Sequence, residues 1–99
     1  MKPLFQGVCT ALVTPFRLDF VHLEVYDQLL DRQLRAGVTA LVVCGTTGES
    51  ATMTDTERLD LIGHTVDYVR GRCKVIAGTG SNATTHAITL SKEAEKLGA

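Results

Sequence analysis

The sequence has no tryptophan, and aromatic residues make up only 5% of its 99 residues. So few aromatic side chains provide no stacking platform for single-stranded nucleic acid. The formal net charge of −1 and the scattered basic residues also argue against a polyanionic partner. We therefore expect no nucleic-acid binding.

Paired cysteines are absent as well. Cys9, Cys44 and Cys73 are odd in number and form no CxxC pair, which indicates neither a disulfide framework nor a zinc site. Cys9 and Cys44 lie inside apolar runs, where we expect them to be buried small hydrophobic residues. Unpaired thiols fit a reducing, cytoplasmic setting best.

Metal-binding and membrane-spanning patterns are also missing. His22, His64 and His86 fall on separate helical patterns without HxxxH or HExxH spacing, so we expect surface or capping roles and no bound metal. No apolar run approaches the roughly 20 residues of a transmembrane helix. The N-terminal residues lack the long apolar region and cleavage site of a signal peptide. We therefore expect no membrane partner.

The sequence does contain a repeated strand–helix pattern. Apolar, strand-like segments occur at 7–16, 38–45 and 74–80, and each ends in turn-forming residues. After each of them, apolar residues recur at steps of three and four, which is typical of helices. The repeat predicts an α/β fold of three consecutive βα units with parallel strands and right-handed crossovers.

The helical segments carry recognisable ends. Thr54 and Glu57 have the spacing of a capping box and predict the start of the second helix, while Ser81 or Asn82 can cap the third. Glycines are placed to end the three helices: Gly37, Gly71 and Gly98. The predicted core-facing stripes are Leu59, Ile62, Val66 and Val69 on the second helix, and Ala87, Leu90, Ala94 and Leu97 on the third.

One consequence of the repeat concerns the face of the sheet that the helices leave uncovered. Crossovers of one hand place all three helices on the same side. The opposite face of an apolar three-stranded sheet, and both of its edges, would then be open. We therefore expect residues 1–99 to be an incomplete N-terminal portion of one larger α/β domain.

The most informative segment is GTTGE at 45–49, directly after the second strand. In parallel α/β folds, ligands bind at the carboxyl ends of the strands. Glycines permit a tight turn, and backbone N–H groups near a helix N-terminus favour an anion. The hydroxyls of Thr46 and Thr47 can each donate and accept a hydrogen bond. The turn suits a small carboxylate or phosphate, with one hydroxyl left to pass a proton.

Other interpretations of the turns remain open. Glycines and hydroxyls also make an ordinary loop, and the charge of Glu49 is wrong for contact with an anion, so we expect it to brace the loop from behind. The GTG at 78–80 belongs to neither a GxGxxG fingerprint nor a Walker loop. Nothing in the sequence indicates a Ser-His-Asp or Cys-His arrangement. Lys74 begins its strand at the opposite edge and is a poor Schiff-base candidate.

Three motifs in order resemble the dihydrodipicolinate synthase family of pyruvate-dependent class I aldolases, which is related to N-acetylneuraminate lyase. They are TALVTPF at 10–16, GTTGES at 45–50 and VIAGTGSNAT at 75–84. The resemblance implies a (β/α)8 TIM barrel, of which this chain would supply the first three βα units. It further implies a lyase that condenses pyruvate with L-aspartate 4-semialdehyde through a lysine Schiff base, in lysine and diaminopimelate biosynthesis. The resemblance implies a homo-oligomer, either a dimer or a tetramer. It implies no cofactor.

By the same resemblance, Thr47 binds the pyruvate carboxylate. Thr46 belongs to a hydroxyl relay with two tyrosines, one of them lent by a neighbouring subunit. The Schiff-base lysine and both tyrosines would lie after Ala99. The resemblance therefore implies that residues 1–99 are inactive alone.

A second set of residues matches a pocket at which lysine inhibits some relatives: Ser50, Ala51 and Asn82. Asp55, Arg58 and His86 stand where inhibited relatives often have His, His and Glu. Because the glutamate that would bind the ammonium of lysine is missing, we expect weak or absent inhibition by lysine.

Alternatives to the synthase remain. The ESAT continuation of the GTTG turn favours the synthase, but another pyruvate aldolase, such as N-acetylneuraminate lyase or a sugar-acid aldolase, is still open. A different possibility is a non-catalytic association module that covers its bare face with a complementary piece or a second copy. A third is a degenerate product without function.

Overall fold

The computed structural model describes residues 1–99 and confirms the predicted α/β fold. In chain order, the elements are strands β1 (Cys9–Ala11), β2 (Phe16–Arg17) and β3 (Phe20–Val21), helix α1 (Leu23–Ala36), strand β4 (Ala40–Val43), a 3₁₀ helix (Ser50–Thr52), helix α2 (Asp55–Val69), strand β5 (Lys74–Ala77) and helix α3 (Thr84–Leu97). None of the helices combines the length and apolar character that crossing a bilayer requires.

The main sheet contains β1, β4 and β5, all parallel, with β4 in the centre. Cys9 pairs with Ala40, and Ala40 pairs with Lys74, so the three strands start level with one another. Because they run in the same direction, their carboxyl ends meet at one edge. The turns that follow β4 and β5 therefore leave the sheet side by side, as the βα repeat predicts.

The small hairpin of β2 and β3 is not predicted by the sequence pattern. Its strands pair antiparallel over two residues each, after β1 and before α1. Leu18 lies at its tip in the left-handed region, with φ 56°. Strands of two residues are too short to show an alternation of apolar and polar side chains, so periodicity could not reveal them.

The ends of α1 and α2 largely follow the sequence signals. His22 caps α1, since its Nδ1 accepts a hydrogen bond of 3.2 Å from the backbone N–H of Val25, and Gly37 ends the helix at φ 85°. The capping box of α2 is present: Glu57 N–H donates to Thr54 Oγ1 at 3.1 Å, and Thr54 N–H donates to Glu57 Oε1 at 2.8 Å. The left-handed residue that ends α2 is Arg70, one position before the predicted glycine.

The start of α3 differs from the prediction. Its N-cap residue is Ala83, and neither Ser81 nor Asn82 caps the helix. Ser81 Oγ instead accepts a hydrogen bond of 3.2 Å from the N–H of Ala83, inside the preceding turn. A side chain that is used within the turn cannot also reach the first N–H groups of the helix. Gly98 ends the helix as predicted.

The core lies between the sheet and the helices. Its largest fully buried side chains include Tyr26, Leu30, Leu41, Ile62, Val43 and Val69. On α2 the predicted stripe is only partly correct, because Leu59 and Val66 are half-buried while Arg58, Leu61 and Thr65 are buried. On α3, Leu90 and Ala94 are buried, whereas Leu97 is exposed. Cys44 is buried as predicted, but Cys9 is only half-buried.

The two faces of the sheet differ in which side chains they carry and in how far these are covered. Residues that pair across the helix-covered face are Thr10, Leu41 and Val75, and Thr10 Oγ1 donates to Gln33 of α1 at 2.8 Å. Residues that pair across the other face are Ala11, Val42 and Ile76. Ala11 is exposed, and Val42 is only half-buried although it lies in the central strand. This face is the less covered of the two at Ala11 and Val42, although Ala40 on the same side of β4 is fully buried.

Candidate functional site

The turn after β4 is built from overlapping hydrogen bonds within the GTTGE segment. Cys44, the residue after the strand, adopts a left-handed conformation with φ 58°, which redirects the chain sharply. Three backbone bonds then hold the turn: Gly48 N–H to Gly45 O at 3.1 Å, Glu49 N–H to Thr46 O at 3.0 Å and Ser50 N–H to Gly45 O at 3.4 Å.

Thr46 and Thr47 lie at the exposed part of this turn. Their backbone N–H groups take no part in the bonds that hold the turn, and their hydroxyls have no hydrogen-bond partner in the chain. Two hydroxyls and two N–H groups are thus available in two consecutive residues. A set of neutral donors without a nearby partner is suited to a carboxylate or phosphate oxygen.

Two expectations about this turn are wrong in detail. The side chain of Glu49 is exposed and makes no hydrogen bond, so it does not brace the loop. Its backbone does, because the Glu49 carbonyl accepts bonds of 3.1 Å from both the N–H and the hydroxyl of Thr52. The N-terminus of α2 is also not next to the threonines: the helix starts at Asp55, and Thr54 satisfies its own capping box. The available N–H groups belong to the turn itself.

The turn after β5 packs directly against the turn after β4. Gly78 N–H donates to Val43 O at 2.8 Å. A Cβ at Gly78 would lie 2.1 Å from the carbonyl oxygen of Cys44 and 2.8 Å from the nitrogen of Gly45. Only glycine fits where two backbones approach this closely. The position of GTTG thus depends on the GTG segment beside it.

The end of β1 supports the GTTG turn from its other side. A Cβ at Gly48 would lie 3.1 Å from both Leu12 O and Thr14 Oγ1, and Thr14 is buried. The motifs that follow β1, β4 and β5 therefore meet at one edge of the sheet. Lys74, in contrast, begins β5 at the opposite edge, as expected.

Arg58 of α2 joins the two turns, a role that the sequence pattern does not predict. Its side chain is buried, and Nη2 donates to Gly78 O at 2.7 Å and to Gly80 O at 3.3 Å. The Cys44 thiol donates in turn to the carbonyl of Arg58 at 3.8 Å. The burial of Arg58 could have been predicted from its spacing, because it lies three residues before the buried Leu61 on the inner face of the helix.

Burial raises the pKa of the Cys44 thiol to about 11, although the nearby charge of Arg58 acts in the opposite direction. The thiol is therefore protonated at neutral pH. Since the thiolate is the nucleophilic form, Cys44 is a packing residue of the turn rather than a reactive group.

The pocket residues implied by the resemblance lie around the start of α2 and the turn before α3. Ser50 is half-buried, and Ala51 and Asn82 are exposed. A hydrogen-bonded chain that the sequence did not indicate connects these elements: His86 Nε2 to Asp55 Oδ2 at 2.6 Å, and His86 Nδ1 to Ser81 Oγ at 2.6 Å. No group of three or more His, Cys, Asp or Glu side chains is placed to hold a metal ion.

Comparison with known proteins agrees with the fold of three parallel βα units. The model of the "Dihydrodipicolinate synthetase family" matches residues 4–99, nearly the whole chain. The chain belongs to the dihydrodipicolinate synthetase family. Its three parallel βα units correspond to the N-terminal part of the TIM barrel of that family.

Individual members of the family are closely similar to this chain. The 4-hydroxy-tetrahydrodipicolinate synthase of Acetivibrio thermocellus is 47% identical over 98 residues, which are 99% of this chain and 34% of that protein. The dihydrodipicolinate synthase of Thermotoga maritima superimposes with a TM-score of 0.94 at 48% identity, over 98% of this chain and 33% of that one. The chloride-inhibited synthase of Acinetobacter baumannii, solved in complex with pyruvate, gives 0.91 at 37% identity, over 95% of this chain and 33% of its own.

This chain therefore spans about a third of the length of the relatives that it matches. The curated relatives from Acetivibrio thermocellus and Thermotoga neapolitana both carry the name 4-hydroxy-tetrahydrodipicolinate synthase.

Proposed function

We propose that residues 1–99 form the first three βα units of a single (β/α)8 barrel that condenses pyruvate with L-aspartate 4-semialdehyde through a Schiff base. The reaction belongs to the biosynthesis of diaminopimelate and lysine, and the protein works in the cytoplasm. Family membership and the one-third share of each relative support this proposal. The further βα units cover the open face of the sheet. We call the protein that joins residues 1–99 to those units the complete barrel.

Thr47 binds the carboxylate of pyruvate in this proposal. The observation that carries it is the pair of adjacent threonines at the carboxyl edge of the sheet, whose hydroxyls and N–H groups are all without protein partners. A carboxylate accepts such hydrogen bonds strongly, because it is charged. The pyruvate complex of the Acinetobacter baumannii relative shows that this ligand is bound within the family.

Thr46 passes protons during the condensation. Its hydroxyl is both donor and acceptor, but an unassisted threonine is too weak an acid to start a transfer, so it acts between stronger groups. The two tyrosines of the relay belong to the rest of the protein, and one comes from a neighbouring subunit. The working enzyme is therefore a homo-oligomer, a dimer or tetramer, and needs no cofactor.

The Schiff-base lysine also belongs to the further units. Lys74 begins β5, at the edge of the sheet away from Thr46 and Thr47, and cannot reach a ligand held there. Residues 1–99 alone are consequently inactive.

Trapping with borohydride and labelled pyruvate tests this division of the site. Reduction converts a Schiff base into a stable adduct that mass spectrometry detects. We expect one adduct per subunit in the complete barrel, built with its own downstream sequence or with the last two-thirds of the Thermotoga maritima synthase. We expect none on residues 1–99. An adduct on the short chain, or its absence from the complete barrel, would contradict the proposal.

The complete barrel is weakly inhibited by lysine, or not at all. By the resemblance, His86 stands where inhibited relatives often have a glutamate, and it is already hydrogen-bonded to Asp55 and Ser81. Arg58 is committed to two carbonyl groups. Neither side chain offers a free carboxylate to the ammonium group of lysine. Inhibition by lysine below millimolar concentration would contradict this part of the proposal.

A second candidate is an association module, which the open face of the sheet favours. Val42 and Ile76 are only half-buried there. Size-exclusion chromatography and binding of a hydrophobic dye distinguish the candidates. A stable dimer of residues 1–99 that binds no dye would support the module. A dye-binding chain that loses its dye signal once the further units are added would support the barrel.

A further inference from the structure

We propose that Arg58 is a positioning residue that holds the Thr46–Thr47 turn in its ligand-binding conformation. The proposal rests on the function proposed above, because it concerns the same carboxylate site. Arg58 does not contact that site directly. It acts through the backbone of Gly78, which lies between the guanidinium group and the GTTG turn.

The environment of Arg58 is unusual for a charged side chain. Only 5% of the residue is exposed, and no carboxylate lies within ion-pair distance of it. Its partners are two carbonyl oxygens, while its buried Nε has no partner at all. An apolar residue at this inner position of α2 would avoid the cost of burying an uncompensated charge. Packing alone therefore does not account for an arginine here.

The hydrogen bonds and contacts of Arg58 form a closed ring. Nη2 donates to Gly78 O, and Gly78 touches the backbone of Cys44 and Gly45. The Cys44 thiol then returns a hydrogen bond to the carbonyl of Arg58. The ring thus connects α2 with both strand-to-helix turns at the carboxyl edge of the sheet.

The last link leads from this ring to the threonines. Gly45 O accepts the N–H groups of Gly48 and Ser50, so it is the main anchor of the turn. A displacement of Gly78 changes the position of Gly45, and with it the direction of the N–H groups of Thr46 and Thr47. A displacement of about 1 Å is enough to weaken binding that depends on aligned donors.

The test uses the complete barrel with two substitutions, Arg58→Met and Arg58→Lys. The methionine removes both hydrogen bonds at a similar side-chain volume. The lysine keeps the charge but replaces the planar fork with a single ammonium group. Arg32→Met is the matched control, because Arg32 is exposed on α1 and its side chain makes no hydrogen bond. The measurements are KM for pyruvate, kcat and the melting temperature.

We expect Arg58→Met to raise KM for pyruvate about tenfold, with a smaller change in kcat, because the donors are misaligned in the bound state. Arg58→Lys should give an intermediate KM, and Arg32→Met should leave KM unchanged. A residue that only stabilises the fold would lower the melting temperature without changing KM of the folded enzyme.

An unchanged KM in folded Arg58→Met, whatever its melting temperature, would overturn the proposal. If that variant does not fold, Arg58→Lys decides, and a KM equal to that of the unsubstituted protein would overturn the proposal. A complete barrel that forms no pyruvate adduct before any substitution would instead refute the proposed function itself. The two failures are therefore distinguishable.

Discussion

The two strand-to-helix turns have similar sequences but different surroundings. The turn after β4 contains Thr46 and Thr47, whose hydroxyls have no protein partner. The turn after β5 contains Thr79, whose hydroxyl is hydrogen-bonded to Ser91 Oγ of α3 at 2.8 Å. Gly78 in that second turn is pressed against the backbone of the first. In the proposed function, the turn after β4 offers its unpartnered donors to a ligand, and the turn after β5 supports it.

This difference shows how a glycine-and-threonine motif can be interpreted. Glycines indicate where backbones approach closely, but they do not reveal which hydroxyls remain available. Availability depends on the neighbouring helix, because α3 supplies a partner to Thr79 and no element supplies one to Thr46 or Thr47. The following substitutions, all made in the complete barrel, test that division.

The largest effect is expected from Gly78→Ala, which disrupts the contact between the two turns. The added Cβ would lie 2.1 Å from the carbonyl oxygen of Cys44, and a backbone neighbour cannot swing aside as a side chain can. We expect the free energy of unfolding to fall by about 3 kcal/mol or more in urea denaturation. Gly80→Ala is the control, because nothing lies within 4 Å of its added Cβ. Equal stability of the two variants would show that the turns are not tightly coupled.

The second effect concerns catalysis. Thr46→Val should lower kcat by roughly 10²–10⁴-fold with little loss of stability, since it removes a proton-transfer group from an exposed position. Thr79→Val is the matched control from the other turn. It should lower stability by about 1 kcal/mol through the lost bond to Ser91 and leave kcat nearly unchanged. Similar kcat values for the two variants would remove the proposed distinction between the turns.

The third effect concerns affinity. Thr47→Val should raise KM for pyruvate by about ten- to a hundredfold, which corresponds to one lost hydrogen bond to a charged group. Thr47→Ser keeps the hydroxyl and should stay close to the unsubstituted enzyme. Steady-state kinetics at varied pyruvate concentration measures both. A serine variant as weak as the valine variant would mean that the methyl group, and not the hydroxyl, matters.

The smallest effect is expected for Thr54, which caps a helix and, unlike Thr46 and Thr47, has no proposed contact with a ligand. Thr54→Ala removes the capping box of α2 and should lower the free energy of unfolding by about 1 kcal/mol without changing KM. Thr56→Ala, which removes an exposed hydroxyl without a hydrogen bond, should have no such cost. A rise in KM for Thr54→Ala would show that the helix start contributes to ligand binding.

Much of the fold could be predicted from the sequence. Periodicity gave the three helices and the parallel strands, and the spacing of Thr54 and Glu57 gave the start of α2. These signals are local, and each depends on a few consecutive residues. The β2–β3 hairpin was not predicted, because its strands are too short to show any periodicity. The N-cap of α3 was predicted wrongly, because the Ser81 side chain is used inside its own turn.

The candidate site was predictable only in part. The GTTGE motif predicted two threonines exposed at the carboxyl edge of the sheet, which the structure shows, while their roles toward a ligand remain predictions from the family resemblance. The buried position of Arg58 and the true support of the loop by the backbone of Glu49 were not foreseen. Both depend on long-range or backbone contacts that side-chain identity does not encode. The hydrogen bonds that connect Ser81, His86 and Asp55 were not predicted for the same reason, since these residues come from separate elements.

A crystal structure of the complete barrel with pyruvate would show whether Thr47 binds the carboxylate. We expect a pyruvate carboxylate oxygen within about 3 Å of Thr47 Oγ1 and of a backbone N–H in the Thr46–Thr47 turn. We also expect the Schiff-base carbon to be joined to a lysine outside residues 1–99. A carboxylate bound elsewhere, with the hydroxyl of Thr47 facing only solvent, would contradict the account.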